Sequence, residues 1–137
     1  MEKGDRFYFD TSIWLDFLEK RGENSKVAVK LIQEVIKNDC IVLYSVMVLQ
    51  ELRNLDYFES EIEDLLSIFR SANIRIVHID KKQLEETERI SKERELPRRD
   101  VSHAILARDN EAIIITRDRH FDKLKDVVVT KLPEDII

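Results

Sequence analysis

The sequence has 137 residues, of which 43% are hydrophobic and 37% are charged, and its formal net charge is −5. This balance predicts a globular chain with a hydrophobic core and excludes an intrinsically disordered one. No apolar run is long enough to span a membrane. The single cysteine, Cys40, excludes an internal disulfide, and its apolar surroundings predict a buried free thiol.

The distribution of glycine and proline predicts one domain without a linker. Only two residues of each type occur, so long irregular loops are not expected, and residues 1–137 are predicted to form a single domain. The first ten residues lack the basic and then apolar layout of a signal peptide. We therefore expect the protein in the cytoplasm.

Short apolar segments alternate with longer segments of helical period along the chain. The predicted strands are 7–9, 40–44, 74–79, 112–116 and 127–130. The predicted helices are 12–20, 25–38, 46–55, 58–71, 81–95, 98–110 and 119–125. Continuous apolar strands separated by helices indicate an α/β fold, with a parallel sheet covered on both faces. Ligands of such sheets bind beyond the carboxyl ends of the strands.

Two carboxylates directly follow predicted strands. Asp10 comes after the first strand, and its alternative role is that of a helix N-cap. Asp118 follows the strand 112–116, and its alternative role is a turn acid paired with Arg117 or Arg119. Asp122 is four residues further on and faces the same way if 119–125 is helical.

Glu51 lies at the edge of the apolar stripe predicted for the helix 46–55. That stripe consists of Val48, Leu52 and Leu55. A carboxylate at this position loses water unless another group compensates its charge. The alternative is that Glu51 turns to solvent or pairs with Arg53 or Lys37.

Asp100 lies in the first turn of the predicted helix 98–110. It shares a face with Ala104 and Ala107, which are small enough for the helix to pack closely against its neighbours. The alternative is that Asp100 only complements the helix dipole, although two adjacent arginines oppose that effect. His103, one turn later, is expected to form hydrogen bonds within the fold.

These four acids are expected at the same edge of the sheet. Converging carboxylates repel one another unless a cation neutralises them. An oxygen-only site without cysteine or clustered histidine suits Mg²⁺ or Mn²⁺. Such a site supports metal-assisted attack of water on a phosphodiester.

Four segments of the sequence resemble, in order, the four motifs of PIN-domain proteins, and VapC-type toxin ribonucleases in particular. They are FYFDTSIWLDFL, SVMVLQEL, RRDVSHAILA and IIITRDRHFDKL. The resemblance covers nearly the whole chain and implies a three-layer α/β/α fold with a central parallel five-stranded sheet. It also implies a Mg²⁺- or Mn²⁺-dependent endoribonuclease that cleaves single-stranded RNA. Proteins of this type often form homodimers and bind an antitoxin protein.

The resemblance also implies roles for individual residues. The implied catalytic and metal-binding residues are Asp10, Glu51, Asp100 and Asp118, with Asp122 as a further ligand of secondary weight. Ser12 and Thr116 match hydroxyl positions that support the metal or bound water. The sequence departs from the family pattern at His120, where an acid often precedes the aromatic residue.

Basic residues flank the predicted site and are candidates for binding RNA phosphates. They are Arg98, Arg99, Arg117, Arg119 and Lys123. Without the four site acids the formal charge is about −1, which weakens the objection that an acidic protein does not bind nucleic acid. The alternative is that these side chains form ordinary solvated surface.

Two other functions are open at this point. In a receiver-type signalling domain, Asp80 would be the phosphoacceptor, with Thr116 and Lys131 as its partners. Against this, Asp80 with Gln83 resembles the start of a helix. The other alternative is a catalytically inactive PIN-like module that binds RNA, which the presence of all four acids disfavours.

Overall fold

Five parallel strands form the centre of the molecule in the computed structural model, which describes all residues from 1 to 137. The strands are β1 (Arg6–Phe9), β2 (Ile41–Ser45), β3 (Ile74–Val77), β4 (Ile113–Ile115) and β5 (Thr130–Lys131). Their order across the sheet is β3-β2-β1-β4-β5, and every neighbouring pair is parallel. The predicted five-stranded parallel sheet is therefore confirmed.

Helices connect the strands and cover the sheet. The α-helices are α1 (Thr11–Glu19), α2 (Gly22–Lys37), α3 (Val46–Asn54), α4 (Glu59–Ser67), α5 (Lys81–Arg94) and α6 (Arg98–Asp109). Three short 3₁₀-helices cover Ser71–Asn73, Arg119–Leu124 and Pro133–Asp135. None of these helices combines the length and apolarity that a membrane crossing requires.

The two faces of the sheet bury separate cores, because successive side chains of a strand point to opposite faces. In β1, Phe7 and Phe9 pack into a core that also contains Trp14. Tyr8 points to the other face and packs with Ala104 of α6. Both cores are fully enclosed, which confirms the three-layer α/β/α arrangement.

The last strand was predicted in the wrong place. Residues 127–130 were expected to be extended, but the amides of Val127 and Val128 donate to the carbonyl of Leu124 at 2.9 and 3.1 Å and close a turn. Pairing with β4 begins at Val129, whose carbonyl accepts from the Ile114 amide at 2.9 Å. The β-branched run predicted a strand, but local turn hydrogen bonds use its first two amides.

The stripe predicted for α3 is correct only in part. Val48 and Leu52 are buried, whereas Leu55 is 54% exposed. The helix ends at Asn54, and Leu55 is its C-terminal cap, so its side chain leaves the buried face. The segment expected to be helical from 119 to 125 is a 3₁₀-helix that covers Arg119–Leu124.

The sheet order excludes the receiver-type alternative. In that fold the first strand lies between the second and the third, whereas here β1 lies between β2 and β4. Asp80 instead caps α5: its side chain accepts from the Gln83 amide at 2.8 Å, and its amide donates to the Gln83 side chain at 2.8 Å.

Candidate metal centre

The carboxyl ends of β1 and β4 lie side by side and bring two segments of the predicted site together. Phe9 is in register with Ile115, and the amide of Asp10 donates to the Ile115 carbonyl at 3.1 Å. Asp10 and Thr116 therefore leave adjacent strands at the same point. This adjacency follows from the sheet order, because 106 residues separate the two positions.

Asp10 is buried and accepts hydrogen bonds from both predicted hydroxyl residues. Its Oδ1 accepts from the Ser12 amide at 2.8 Å, and its Oδ2 accepts from the Ser12 hydroxyl at 3.2 Å and from the Thr116 hydroxyl. The alternative role as N-cap is confirmed, since the bond to the Ser12 amide caps α1. Burial raises the pKa of Asp10, and these donors offset that effect only in part.

The polar residues that follow β4 are tied to the end of β1. The Asp118 amide donates to the Thr116 hydroxyl at 2.9 Å, and the Arg117 amide donates to the Ser12 hydroxyl at 3.2 Å. Asp118 does not pair with a neighbouring arginine as the alternative proposed. Its Oδ1 instead accepts from the His120 amide at 2.9 Å at the start of the 3₁₀-helix. A largely buried apolar strand thus ends on polar residues that shape this edge.

Asp100, Asp118 and His120 form a cluster in which one donor atom of each lies within 4.8 Å of the others. His120 Nδ1 is 3.1 Å from Asp100 Oδ2 and 3.3 Å from Asp118 Oδ1. Burial raises the pKa of Asp100, and the charges of Asp118 and Asp10 raise it further, while His120 acts in the opposite direction. Three of the four predicted acids therefore share one electrostatic environment.

Glu51 is held differently from the other acids. Its Oε1 is 3.0 Å from His103 Nε2 and 4.0 Å from Arg99 Nε. Burial raises the pKa of Glu51, but hydrogen bonding to His103 and the charges of His103 and Arg99 outweigh it, so the net pKa is lowered. The expected alternative pairing with Arg53 is wrong, because that arginine binds Glu59.

A buried chain of hydrogen bonds fixes His103 behind Glu51. Tyr8 Oη is 2.6 Å from His103 Nδ1 and 2.7 Å from the Ser45 hydroxyl. Burial raises the pKa of Tyr8, so the phenol stays protonated. Because an ionised Glu51 only accepts hydrogen bonds, His103 Nε2 is the donor in their contact. The prediction that His103 forms hydrogen bonds within the fold is confirmed.

Two of the predicted RNA-binding residues are engaged in ion pairs within the protein. Arg117 is only 20% exposed and pairs with Asp16 at 2.8 Å and Glu134 at 2.6 Å. Arg98 pairs with Glu88 at 2.8 Å. A phosphate would have to compete with these carboxylates.

The other predicted basic residues have no close ionic partner. Arg119 and Lys123 are exposed and have no ionic partner, and Arg99 is 66% exposed beside Glu51. Arg119 also lines an open cleft of about 460 Å³ next to the acidic cluster, together with Lys125 and Lys131. Neither of these two lysines was predicted to bind RNA.

Asp122 lies outside the cluster of Asp100, Asp118 and His120. Its side chain is 64% exposed, and its nearest charged partner is Lys125 at 3.6 Å. The 3₁₀ geometry accounts for this position, since residues four apart do not stack in a helix with three residues per turn.

His120 was not selected as a functional residue from the sequence, although it was noted as a departure from the family pattern. Its contact with Asp100 joins the 3₁₀-helix to α6 and depends on packing that no local pattern encodes. The cluster therefore contains an imidazole nitrogen beside its carboxylate oxygens, whereas the sequence predicted oxygen ligands alone.

The donor set suits a divalent cation. Carboxylate oxygens and an imidazole nitrogen are common ligands of such ions, and a cation would relieve the raised pKa values of Asp10 and Asp100. The buried Thr11 hydroxyl lies close enough to Glu51 to lower the pKa of that carboxyl, yet it has no partner at hydrogen-bonding geometry. It is a further polar atom available beside the acids.

Solved structures share this architecture at low sequence identity. VapBC2 from Rickettsia felis, bound to a DNA fragment from its promoter, has a TM-score of 0.69 and 18% identity, over 93% of this chain and 98% of that chain. VapBC-1 from nontypeable Haemophilus influenzae has a TM-score of 0.67 and 15% identity, over 94% and 98% of the two chains. FitAcB from Neisseria gonorrhoeae has a TM-score of 0.64 and 16% identity, over 95% and 99%. These likenesses show a common fold.

Sequence comparison identifies the family. No curated protein matches the chain. The family model for the PIN domain, however, matches residues 7–127, which include all four predicted acids and His120. The chain therefore belongs to the PIN domain family.

Proposed function

We propose that this protein is an endoribonuclease that depends on a divalent metal and cleaves single-stranded RNA. PIN domains are generally nucleases. The observation that carries the proposal is the convergence of Asp10, Asp100 and Asp118 at one sheet edge, where burial raises the pKa of Asp10 and Asp100, and the charges of Asp118 and Asp10 raise that of Asp100 further. Carboxylates with a purely structural role on a surface usually lie apart from one another, whereas carboxylates that bind a cation are held close together.

The proposed roles follow from the contacts of each residue. Asp10, Asp100 and Asp118 hold the cation, and Ser12 and Thr116 orient Asp10 through their hydrogen bonds. Glu51 stays ionised because its pKa is lowered, and it adds negative charge in a fixed orientation. When bound, Mg²⁺ or Mn²⁺ supplies Lewis acidity toward a phosphodiester and the attacking water.

The exposed basic residues are proposed to hold the RNA backbone. Arg119 and Lys123 have no internal ionic partner, so they bind phosphates without breaking an ion pair. Arg99 is placed to contact RNA next to Glu51. Arg98 and Arg117 are weaker candidates, because each must first leave a carboxylate.

We also propose that the chain, as one domain over residues 1–137, is the toxin of a toxin–antitoxin pair. VapBC-1 and FitAcB, which share its fold, support an antitoxin partner. We propose further that the protein forms a homodimer. We also propose that it lies in the cytoplasm, where it would meet an RNA substrate and an antitoxin. A neighbouring reading frame for a small DNA-binding protein would support the antitoxin.

The experiment is a cleavage assay with end-labelled single-stranded RNA. The purified chain is expected to cleave RNA in Mg²⁺ or Mn²⁺, to stop in EDTA, and to recover when metal is restored. An Asp100→Asn preparation, purified in parallel, controls for contaminating nucleases. Cleavage that persists undiminished in EDTA would contradict the metal mechanism. RNA binding without cleavage under every metal condition would favour the inactive PIN-like module.

A further inference from the structure

The geometry points to His120 as a metal ligand that acts with Asp100 and Asp118 and gives the site a preference for a divalent transition metal, such as Mn²⁺, over Mg²⁺. This inference rests on the proposed function, because it concerns the cation of the same site. It goes further by assigning a ligand that the four-acid pattern does not contain and by naming the class of metal.

The nitrogen and oxygen atoms of the three side chains are spaced like the ligands of one metal ion. His120 Nδ1 lies 3.1 Å from Asp100 Oδ2 and 3.3 Å from Asp118 Oδ1, and all three atoms lie within 4.8 Å of one another. Ligand atoms bonded at about 2.1 Å to one ion are about 3.0 Å apart in an octahedron and about 3.4 Å apart in a tetrahedron. The two distances from the imidazole fall in this range.

The local backbone fixes the position of the imidazole. The His120 amide donates to Asp118 Oδ1 at 2.9 Å, so one residue contacts that carboxylate through both its main chain and its ring. The side chain of His120 is 58% exposed and therefore does not fill the core. An exposed side chain that turns its nitrogen toward two acids is placed for binding, and its replacement should not disturb packing.

The chemistry of the donors determines the metal preference. Mg²⁺ favours oxygen ligands and retains several waters, whereas imidazole nitrogen is a common ligand of first-row transition metals. A site with two carboxylates and one imidazole should therefore hold Mn²⁺ more tightly than Mg²⁺. An ordinary hydrogen bond from His120 to the two acids would give no such preference.

Metal titrations of the complete chain test this inference. Wild type, His120→Asn, His120→Asp and the control His78→Asn are freed of metal and titrated with Mn²⁺ or Mg²⁺ by calorimetry. His78 is an exposed histidine without an ionic partner. His120→Asn should weaken Mn²⁺ binding roughly tenfold and change Mg²⁺ binding much less. His120→Asp should bind both ions without the preference for Mn²⁺, because its donors are all oxygen.

Pulsed electron paramagnetic resonance of bound Mn²⁺ gives a second readout that does not depend on catalysis. A coupling to a ¹⁴N nucleus is expected in wild type and in His78→Asn, and it should disappear in His120→Asn. A single cooperative thermal transition of each of the four proteins in EDTA confirms that they fold.

Two results would overturn the inference, and they distinguish a failure of the His120 ligand from a failure of the metal site. If wild type binds Mn²⁺ without nitrogen coupling, and His120→Asn binds it equally well, His120 is not a ligand and the proposed metal site stands. If wild type binds neither ion, the metal site itself fails, and the role of His120 fails with it.

Discussion

The acidic residues of the site differ in the contacts that hold them, and their pKa values differ accordingly. Asp10 receives three hydrogen bonds and is buried, so its position is fixed even though its pKa is raised. The Asp100 carboxylate has a hydrogen bond to His120 alone and is repelled by two other acids. Glu51 is compensated by His103 and Arg99. The acid with the least support from the protein is Asp100, which should therefore respond most to a cation.

Also at the residue scale, Arg119→Ala should weaken RNA binding and reduce its dependence on salt. Arg119 is exposed at the cleft without an ionic partner, so it is free to contact one phosphate. Loss of one contact should lower the slope of log K against log salt by about 0.7 unit for a single strand. Fluorescence anisotropy in EDTA at several salt concentrations measures this without cleavage.

The control for this prediction is Arg70→Ala. Arg70 is an exposed arginine that precedes β3 and therefore lies at the amino edge of the parallel sheet, away from the candidate site. It should leave affinity and salt slope unchanged. An Arg119→Ala protein with the wild-type slope would move RNA to another face of the molecule.

At the scale of elements, the position of α6 decides whether Asp100 reaches the acids that follow β1 and β4. The helix packs against the sheet through small side chains, and Ala104 and Ala107 are completely buried. Larger residues there would hold the first turn of α6 further from the strand ends. The close approach of helix and sheet is thus part of the site.

We predict that Ala104→Leu destabilises the fold by about 1–3 kcal/mol, because a fully packed position has no room for the added atoms. Ala72→Leu is the matched control, since Ala72 is exposed and its replacement should change the free energy of unfolding by less than about 0.5 kcal/mol. Urea unfolding of the three proteins measures both effects. Equal stability of Ala104→Leu and wild type would mean that α6 moves easily.

The elements also show what the sequence could predict. The alternation of apolar strands and helices predicted the sheet, because the central strands β1, β2 and β4 consist mostly of apolar, largely buried residues. Strand ends then predicted where Asp10 and Asp118 lie. The contact of His120 with Asp100 was beyond prediction, because it depends on how a 3₁₀-helix packs beside α6. The start of β5 was missed because turn hydrogen bonds override the propensity of valine.

For the whole molecule, the net charge of −5 does not argue against the binding of nucleic acid. Several acids are concentrated at one edge of the sheet, where a cation would neutralise part of their charge. Two of the basic residues beside this edge, Arg98 and Arg117, form ion pairs within the protein, which leaves fewer side chains near the site free for phosphates. We infer that bound metal contributes to RNA affinity, in addition to its role in cleavage.

We propose above all that the clustered acids bind a divalent cation in the folded protein. The pKa of Asp100 is raised, so the folded state binds the proton of this carboxyl group more tightly than the unfolded state does. Without metal, stability should therefore fall as pH rises from the ordinary carboxyl pKa through the raised one. Asp100→Asn cannot ionise and should be equally stable or more stable than wild type at neutral pH.

Thermal melts in EDTA and in Mn²⁺ test this claim most directly, with wild type, Asp100→Asn and the control Asp122→Asn. At a hundredfold excess over its dissociation constant, a metal that binds only the folded state adds about 2.7 kcal/mol to stability. Wild type and Asp122→Asn should gain this increment, whereas Asp100→Asn should gain much less. An Asp100→Asn protein that melts lower than wild type in EDTA and still gains the full increment in Mn²⁺ would contradict the claim.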